Sequence, residues 1–569
     1  MSKVLVECVP NFSEGRDQAV IGKIAESIQD IQGVDLLDVD PGFAANRTVF
    51  TFVGSPKDVL EAAFQAIKTA QNLIDMRAHQ GEHPRMGATD VCPLVPVQGI
   101  TLEECAELAK KLAFRVGQEL NIPTFLYEAA ASTKERVRLP DLRKGEYEAL
   151  EKKLSDSKWG PDFGPREWSE MVAKSGGTVI GARPFLIAWN INLNTKNQRK
   201  AEKIAATIRE KGAYVRLENG ELAKDEDGKP YRSSGLFTKL NAIGWTIEEY
   251  GHCQISCNMT DFETTSLYQV YDKVRELAFL EGIVVTGSEL VGLIPAKALL
   301  DAGHHYLRQA GENPGLAEDD VLQVAIRSLG LNDLKPFDVN NSVIEKRIAG
   351  DGRLVRQSLR EFSDLLGSDA PAPGGGSVAA LCGALSVSLS AMVAQLTTKI
   401  NAKNWPYAQP RPEAWDEFDR TAVLAQSLKE AFLHDVDADT EAFDAMMTAM
   451  KLPKATESEK RSRMQAIRSA RIQAIETPLG VLHRTLLALD CAQVAMNGNP
   501  NARSDAGVAV SLARACAEGA WMNVQINISS MKDLELKRSY AQKADQLLKK
   551  VHETSEQLFA QIKKDLTNS

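Results

Sequence analysis

The chain has no excess of positive charge: 67 Lys and Arg stand against 76 Asp and Glu, a net charge of −9 over 569 residues. That balance excludes the electrostatic footprint of a nucleic-acid binder. Its eight cysteines (Cys8, Cys92, Cys105, Cys253, Cys257, Cys382, Cys491, Cys516) form no C-x-x-C pair, so reduced thiols are expected rather than a zinc ribbon. Cys253 and Cys257, beside His252, lie in a strand-like run with no second ligand pair and read as buried thiols. No Walker or dinucleotide fingerprint surrounds the triple glycine at 374–376, so no nucleotide is expected. No apolar run is expected to span a membrane, and the N-terminal Met-Ser-Lys-Val-Leu-Val-Glu is too soon charged for a signal peptide. A cytoplasmic protein is the expectation. What remains, 44% apolar and 25% charged, is globular composition in a chain too long for one core.

The densest cluster of functional groups is the stretch Arg77–Val97, which holds His79, Glu82, His83, Arg85 and two glycines between a predicted helix and a predicted strand. A titratable knot in a loop held by rigid elements is a usual seat of catalysis, although a solvated turn has the same look. His79-Gln80-Gly81-Glu82-His83 matches the H-x-x-E-H zinc-protease pattern. That site needs a continuous helix, and Gly81 with Pro84 breaks one, so no metal is expected here.

Periodicity predicts β-α-β-β-α-β over the first hundred residues, the split βαβ plan. Strands are expected at 4–9, 34–39, 48–53 and 91–95, with helices from Val20 and after the Ser55-Pro56 start signal. A further helix from the Thr101/Glu104 capping box and a strand near Phe125 follow. The order recurs after Gly177, with 179–193 read as one strand. Two such lobes imply a cleft between them. Strand signals end near residue 350, so the fold class is two α+β (split βαβ, ferredoxin-like) lobes followed by an all-α bundle. The boundaries are 1–178, 179–346, a 347–356 linker and 357–569, and a cut near 349–353 is expected to give two soluble fragments. The longest helices are expected to begin at Ser377 and near Glu413.

On the Glu413 helix, Asp435 and Asp439 share an otherwise apolar face with Phe432, Ala442 and Phe443. Burying unpaired acids is costly, so either they exchange protons or they pair across a helix interface. Asn523 and Asn527 lie one turn apart and can either hydrogen-bond a polar heterocycle or tie helices together. Rows of small residues, such as Ala380, Ala384 and Ala391, predict close helix packing and a homo-oligomer assembled through the bundle.

At 6–15 (Val-Glu-Cys-Val-Pro-Asn-Phe-Ser-Glu-Gly), 46–49 (Asn-Arg-Thr-Val), 81–88 (Gly-Glu-His-Pro-Arg-Met-Gly-Ala), 372–379 (Ala-Pro-Gly-Gly-Gly-Ser-Val-Ala) and 436–439 (Val-Asp-Ala-Asp) the chain closely resembles the formiminotransferase-cyclodeaminases. The resemblance implies two reactions. The first moves the formimino group of N-formimino-L-glutamate to the 5-nitrogen of tetrahydrofolate, a co-substrate that can carry a polyglutamate tail. The second closes the product to 5,10-methenyltetrahydrofolate and expels ammonia. The resemblance places the catalytic residues at His83 and Asp439 and a folate-binding loop at Gly164, Pro165, Gly176 and Gly177. Asn46 and Ser377, within the matching motifs, join the binding set with Asn523 and Asn527. Asp40 is a candidate to fix the imidazole tautomer, and Arg47 and Arg85 to hold the glutamate carboxylates. Neither step requires a metal. Two other readings compete: a cyclohydrolase-type helical domain, and a folate-binding assembly protein without turnover. One departure is the stretch 212–235, longer than expected for the animal enzymes.

Overall fold

The computed structural model describes residues 4–567 apart from 44, 82–83, 220, 226–227, 248–250, 349–351, 403–411 and 530, with the side chains of 400–402 also left aside. Contacts divide the chain into two units: Ser2–Pro295 with Asp333–Ile348, and Ala296–Asn332 with Ala349–Ser569.

The first unit opens with β1 (Leu5–Cys8) and β2 (Asn11–Phe12), two parts of one line interrupted at Pro10. Helix α1 (Gln18–Gln29) starts where the Asp17 side chain accepts the free N–H groups of Ala19 and Val20. After β3 (Val34–Gly42) and β4 (Arg47–Gly54), α2 (Pro56–Leu73) begins at the expected Ser55 cap, with proline in its first turn. Next come β5 (Thr89–Gln98), α3 (Leu102–Glu119) with its Thr101/Glu104 capping box, and β6 (Thr124–Glu128). Short helices α4 (Leu139–Leu142), α5 (Leu150–Leu154) and α6 (Glu170–Ser175) lead to β7 (Thr178–Ala182).

β4 and β5 flank the β1/β2 line antiparallel, β3 borders β4, and β7 and β6 extend the far side in parallel. The expected split βαβ is therefore present. One face buries Val6, Cys8, Phe12, Phe50 and Phe52 against α1 to α3, with Phe12 and Phe50 edge-to-face at 5.2 Å. Each such side chain stabilises by about 1.5–3 kcal/mol, and Phe50→Ala would cost about 3–5 kcal/mol.

The strand expected over 179–193 is two strands. Arg183-Pro184 separates β7, which completes the first sheet, from β8 (Ile187–Leu193), which starts the second. The first lobe thus extends past residue 178. The second lobe runs α7 (Gln198–Ile208), β9 (Leu240–Ile247), β10 (His252–Met259), α8 (Leu267–Leu280) and β11 (Val285–Val291), in the sheet order β11-β8-β10-β9. That is the same plan as the first. The long 212–235 stretch forms small bridges (Tyr214 to Arg232, Arg216 to Leu222, Lys224 to Pro230), with the Arg232 guanidinium over the Tyr214 ring at 3.6 Å.

α9 (Ala296–Gln309) and α10 (Glu318–Ser328) group with the helical unit, although the sequence reading put them in the second lobe. Their connecting loop is tied to that unit by specific bonds. Asn313 Nδ2 donates to Thr398 Oγ1 at 2.9 Å, and Gln395 Nε2 and Gln426 Nε2 donate to the Gly315 carbonyl at 2.7 and 3.1 Å. A Cβ at Gly315 would stand 2.2 Å from that of Ala422, so only glycine fits. The chain returns through α11 (Val339–Ser342) and α12 (Ile344–Ile348), where Val343 bridges Ile294. A chain nicked proteolytically at 349–353 is therefore expected to stay associated: its two pieces should co-elute in gel filtration without denaturant. Separate elution would show that this hairpin does not hold them.

The helical unit comprises α13 (Leu359–Leu366), α14 (Gly375–Ala402), α15 (Ala414–Lys451), α16 (Glu457–Met496), α17 (Arg503–Ser529) and α18 (Leu534–Thr567). The longest helix is α16, with 40 residues, not α14 or α15 as expected. It runs through Pro478 without a break, although proline removes a backbone donor there. α14 also corrects the expectation about apolar runs: the 25 residues Gly375–Lys399 are long and apolar enough to cross a membrane. Here they form a core helix, with Ala380, Ala384, Val387 and Ala391 buried against α15, α16 and α17.

Candidate active sites

The loop between α2 and β5 is clasped from two sides. Asn46 is buried, adopts a left-handed backbone (φ 47°), and works with three groups at once. Its Oδ1 accepts the Gly15 N–H at 3.0 Å, its Nδ2 donates to the Gln80 carbonyl at 2.9 Å, and its own carbonyl accepts His79 Nε2 at 2.9 Å. Gly81 sits so close that a Cβ would lie 2.2 Å from the Ala45 carbonyl oxygen. On the other side Ser13 Oγ donates to the Gly87 carbonyl at 2.8 Å, Gly177 N–H donates to the Met86 carbonyl at 3.0 Å, and Gly87 bridges Gly176. Asn46, Gly176 and Gly177, scattered in sequence, thus converge on the segment that carries His83. His83 itself, with Glu82, lies outside the described residues.

Behind the loop, Asp90 is fully buried, accepts the Met86 N–H at 3.0 Å and pairs with Arg143. Arg85 does not stand open for a substrate carboxylate: its guanidinium is held by Glu146 at 3.0 Å and Glu148 at 2.7 Å, which keep its pKa raised. Arg47 lines a cleft of about 360 Å³ that the two lobes enclose together, with Arg143, Arg183, Glu128 and Lys239 among its walls. Burial lowers the Arg47 pKa while the charges of Asp90 and Asp40 support its cation. Asp40 lies exposed on β3, paired in register with Val49. Gly164 and Pro165 sit elsewhere: Gly164 (φ 85°) packs on the Ile122 carbonyl and Gly117, a crossing that leaves no room for a Cβ. The chain forms α6 between them and Gly176 and Gly177, so 164–177 is not one continuous loop, yet Gly177 borders the same segment through the Pro123 carbonyl.

Sequence reading missed Glu128, Arg143, Arg183 and Lys239. Glu128 and Arg183 end or directly follow the buried strands β6 and β7, and a charge at the carboxyl end of an apolar strand was the available signal. Glu128 (φ 51°) and Lys239 (φ 57°) both hold left-handed backbones, a strain that clusters at functional sites.

One buried acid near this cleft makes a prediction. Burial pushes Glu7 from 4.5 to about 7, with Arg183 opposing and Glu345 adding to the rise. A carboxyl raised on folding contributes stability below its unfolded value, and that contribution is lost as pH climbs through the folded value. Between pH 4.5 and about 7 this unit should lose about 3 kcal/mol from Glu7. Glu7→Gln is expected to raise the melting temperature at pH 8 and leave it nearly unchanged at pH 4.5. The same change at both pH values would contradict this.

In the helical unit, Asp439 caps α14. Its Oδ2 accepts Ser377 N–H at 3.0 Å and Ser377 Oγ–H at 3.3 Å, where the helix dipole favours a negative charge. Gly376 lets the carboxylate in: a Cβ there would fall 2.0 Å from Asp439 Oδ1. Burial still dominates and raises the Asp439 pKa, with Asp435 adding to the rise and the Ser377 bonds opposing it. Ser377, also a sequence candidate, is buried and donates to the Val436 carbonyl at 2.8 Å. Asn523 borders Gly375 and donates to the Gly519 carbonyl of its own helix at 2.8 Å. Asn527 donates to Ala474 O at 2.6 Å and so ties α17 to α16. Among the described residues no group of three or more His, Cys, Asp or Glu is placed to hold a metal.

Comparison with known proteins matches both units. Family models cover 5–183 (formiminotransferase domain, N-terminal subdomain), 188–349 (formiminotransferase domain) and 358–566 (formiminotransferase-cyclodeaminase). The formimidoyltransferase-cyclodeaminase of Rattus norvegicus is 42% identical over 96% of each chain. A glutamate formimidoyltransferase of Streptococcus pyogenes is 44% identical over 54% of this chain and 94% of its own. A methenyltetrahydrofolate cyclohydrolase of Methylorubrum extorquens is 34% identical over 36% of this chain and 96% of its own. The chain belongs to the formiminotransferase-cyclodeaminase family.

Proposed function

We propose that this chain carries out two successive folate reactions, formimino transfer from N-formimino-L-glutamate to tetrahydrofolate and closure of the product to 5,10-methenyltetrahydrofolate with loss of ammonia. The observation that carries this reading is similarity along the whole chain, at 42% identity, to a protein whose name joins both activities. In the first unit His83 takes a proton from the attacking nitrogen and returns one to the departing glutamate nitrogen, as a group titrating near neutral pH can. Asp40 is its orienting partner. Arg47 and the other cations of the cleft hold the glutamate carboxylates, and Arg85 acts through its ion pairs to fix the loop. The residues 164–177 face the folate. In the helical unit Asp439, poised by burial, takes the proton lost from the 10-nitrogen and passes it to the departing nitrogen, which leaves as ammonia. Ser377 and Asn523 order that site. Tetrahydrofolate is a co-substrate, and the chemistry of neither step calls for a metal or a nucleotide.

The test is a coupled assay begun with N-formimino-L-glutamate and tetrahydrofolate, following methenyl absorbance and ammonia together. One ammonia per methenyl product supports the reading. The similarity to a cyclohydrolase favours a second reading for the helical unit alone, in which methenyl turnover proceeds without ammonia. We further place the protein in the cytoplasm as a homo-oligomer built through the bundle, whose exposed Leu385, Met392, Met522 and Ile526 supply apolar contact area. Sedimentation as a monomer at micromolar concentration would remove that assembly.

A further inference from the structure

Asp435 lies one turn before Asp439 on α15 and is only 7% exposed. Its Oδ2 is met by Nη2 of Arg484, which reaches across from α16. The cost of this pair is visible: Arg484 Nε is buried with no hydrogen-bond partner, so the side chain gives up part of its solvation to reach one carboxylate. A buried acid and a half-satisfied, partly buried guanidinium are poor stabilisers compared with apolar packing. We propose that Asp435 and Arg484 are positioning residues for ring closure, an ion pair that sets how much negative charge Asp439 feels while it exchanges a proton. This rests on the role proposed for Asp439.

Around Asp439 the charge that acts directly is Asp435, which Arg484 and His434 face in turn. From α14, Asp439 receives the uncharged Ser377 N–H and O–H. Asp435 is faced by the Cys516 thiol of α17, which burial pushes up to about 12, so it is neutral. Cys382 of α14 is likewise a neutral thiol, raised by burial. On α15 itself, His434 Nδ1 stands 3.9 Å from Asp435 Oδ1, and that carboxylate raises the imidazole pKa while Glu441 adds to the rise. Removing Arg484 leaves the Asp435 charge uncompensated beside Asp439. Removing the Asp435 charge takes away the carboxylate that raises the Asp439 pKa. The two changes must move proton affinity at Asp439 in opposite directions.

The experiment measures kcat against pH for ring closure of supplied 5-formiminotetrahydrofolate by the full chain. With Asp439 acting as a carboxylate, activity falls on the acid side. Arg484→Gln should move that limb to higher pH by about half a unit or more, and Asp435→Asn should move it to lower pH by a similar amount. The Asp435→Asn/Arg484→Gln double variant should behave like Asp435→Asn alone, because Arg484 acts on Asp439 through Asp435. Lower activity with an unmoved limb, or two limbs moved the same way, overturns the proposal. Should Arg484→Gln fail to fold, Asp435→Asn decides alone, since its limb must move down. Asp439→Asn separates the two layers. If it retains closure, the assignment of Asp439 fails; if it abolishes closure while the other limbs stay fixed, only the ion-pair proposal fails.

Discussion

Asp439→Asn is expected to stop ring closure and leave formimino transfer running, so that 5-formiminotetrahydrofolate accumulates. The amide keeps the shape and still accepts from Ser377, but it cannot take a proton. Loss of a positioned acid–base group costs about 10²–10⁴ in rate. His83→Ala is expected to do the reverse, removing transfer while supplied 5-formiminotetrahydrofolate still closes. The two residues belong to different compact units, so neither substitution should disturb the packing around the other. Stopped-flow absorbance with each substrate in turn reads both outcomes. A folded variant that lost both reactions would contradict the two-site assignment.

Gly376→Ala should act almost as strongly without touching a titratable group. A Cβ at 376 would stand 2.0 Å from Asp439 Oδ1 and 2.4 Å from its Cγ, so the carboxylate has to leave its seat at the start of α14. Displacement of a reacting group by about 1 Å costs about a hundredfold, and closure should fall by at least that much. The neighbouring Gly375→Ala is the control, because its Cβ meets nothing nearer than Asn523 Nδ2 at 3.6 Å. Closure should be nearly unchanged there, since alanine is if anything the better helix former. Equal loss in both variants would point to general disruption of the helix start. Formimino transfer should be unaffected in either.

The sequence made much of this fold legible, because its signals are local. Ser55-Pro56 and Thr101/Glu104 start helices where their capping chemistry requires, and strand alternation recovers both split βαβ lobes. What it hid depends on contacts distant along the chain. Pro478 lies inside α16, where tertiary packing outweighs the local cost of a proline. The grouping of α9 and α10 with the bundle rests on side-chain bonds to Gly315 that no periodicity encodes. At the candidate sites the histidine loop stood out by density and the Asp435/Asp439 pair by its apolar face, and the resemblance chose His83 and Asp439 from them. The roles of Asn46 and Arg85 did not stand out, since a hydrogen-bond clasp and a pair of internal ion pairs look the same in sequence as ligand contacts. Arg143 and Lys239 carry no such signal, and they meet Arg183 only in the three-dimensional walls of the cleft.

The central claim is that one chain holds two independent chemistries joined by a diffusible folate. The most direct test mixes folded His83→Ala protein with folded Asp439→Asn protein and supplies N-formimino-L-glutamate with tetrahydrofolate. Neither variant alone should form methenyl product. The mixture should form it with one equivalent of ammonia, after a lag while the free intermediate builds up. No recovery on mixing, although each variant keeps its one remaining reaction, would contradict the account.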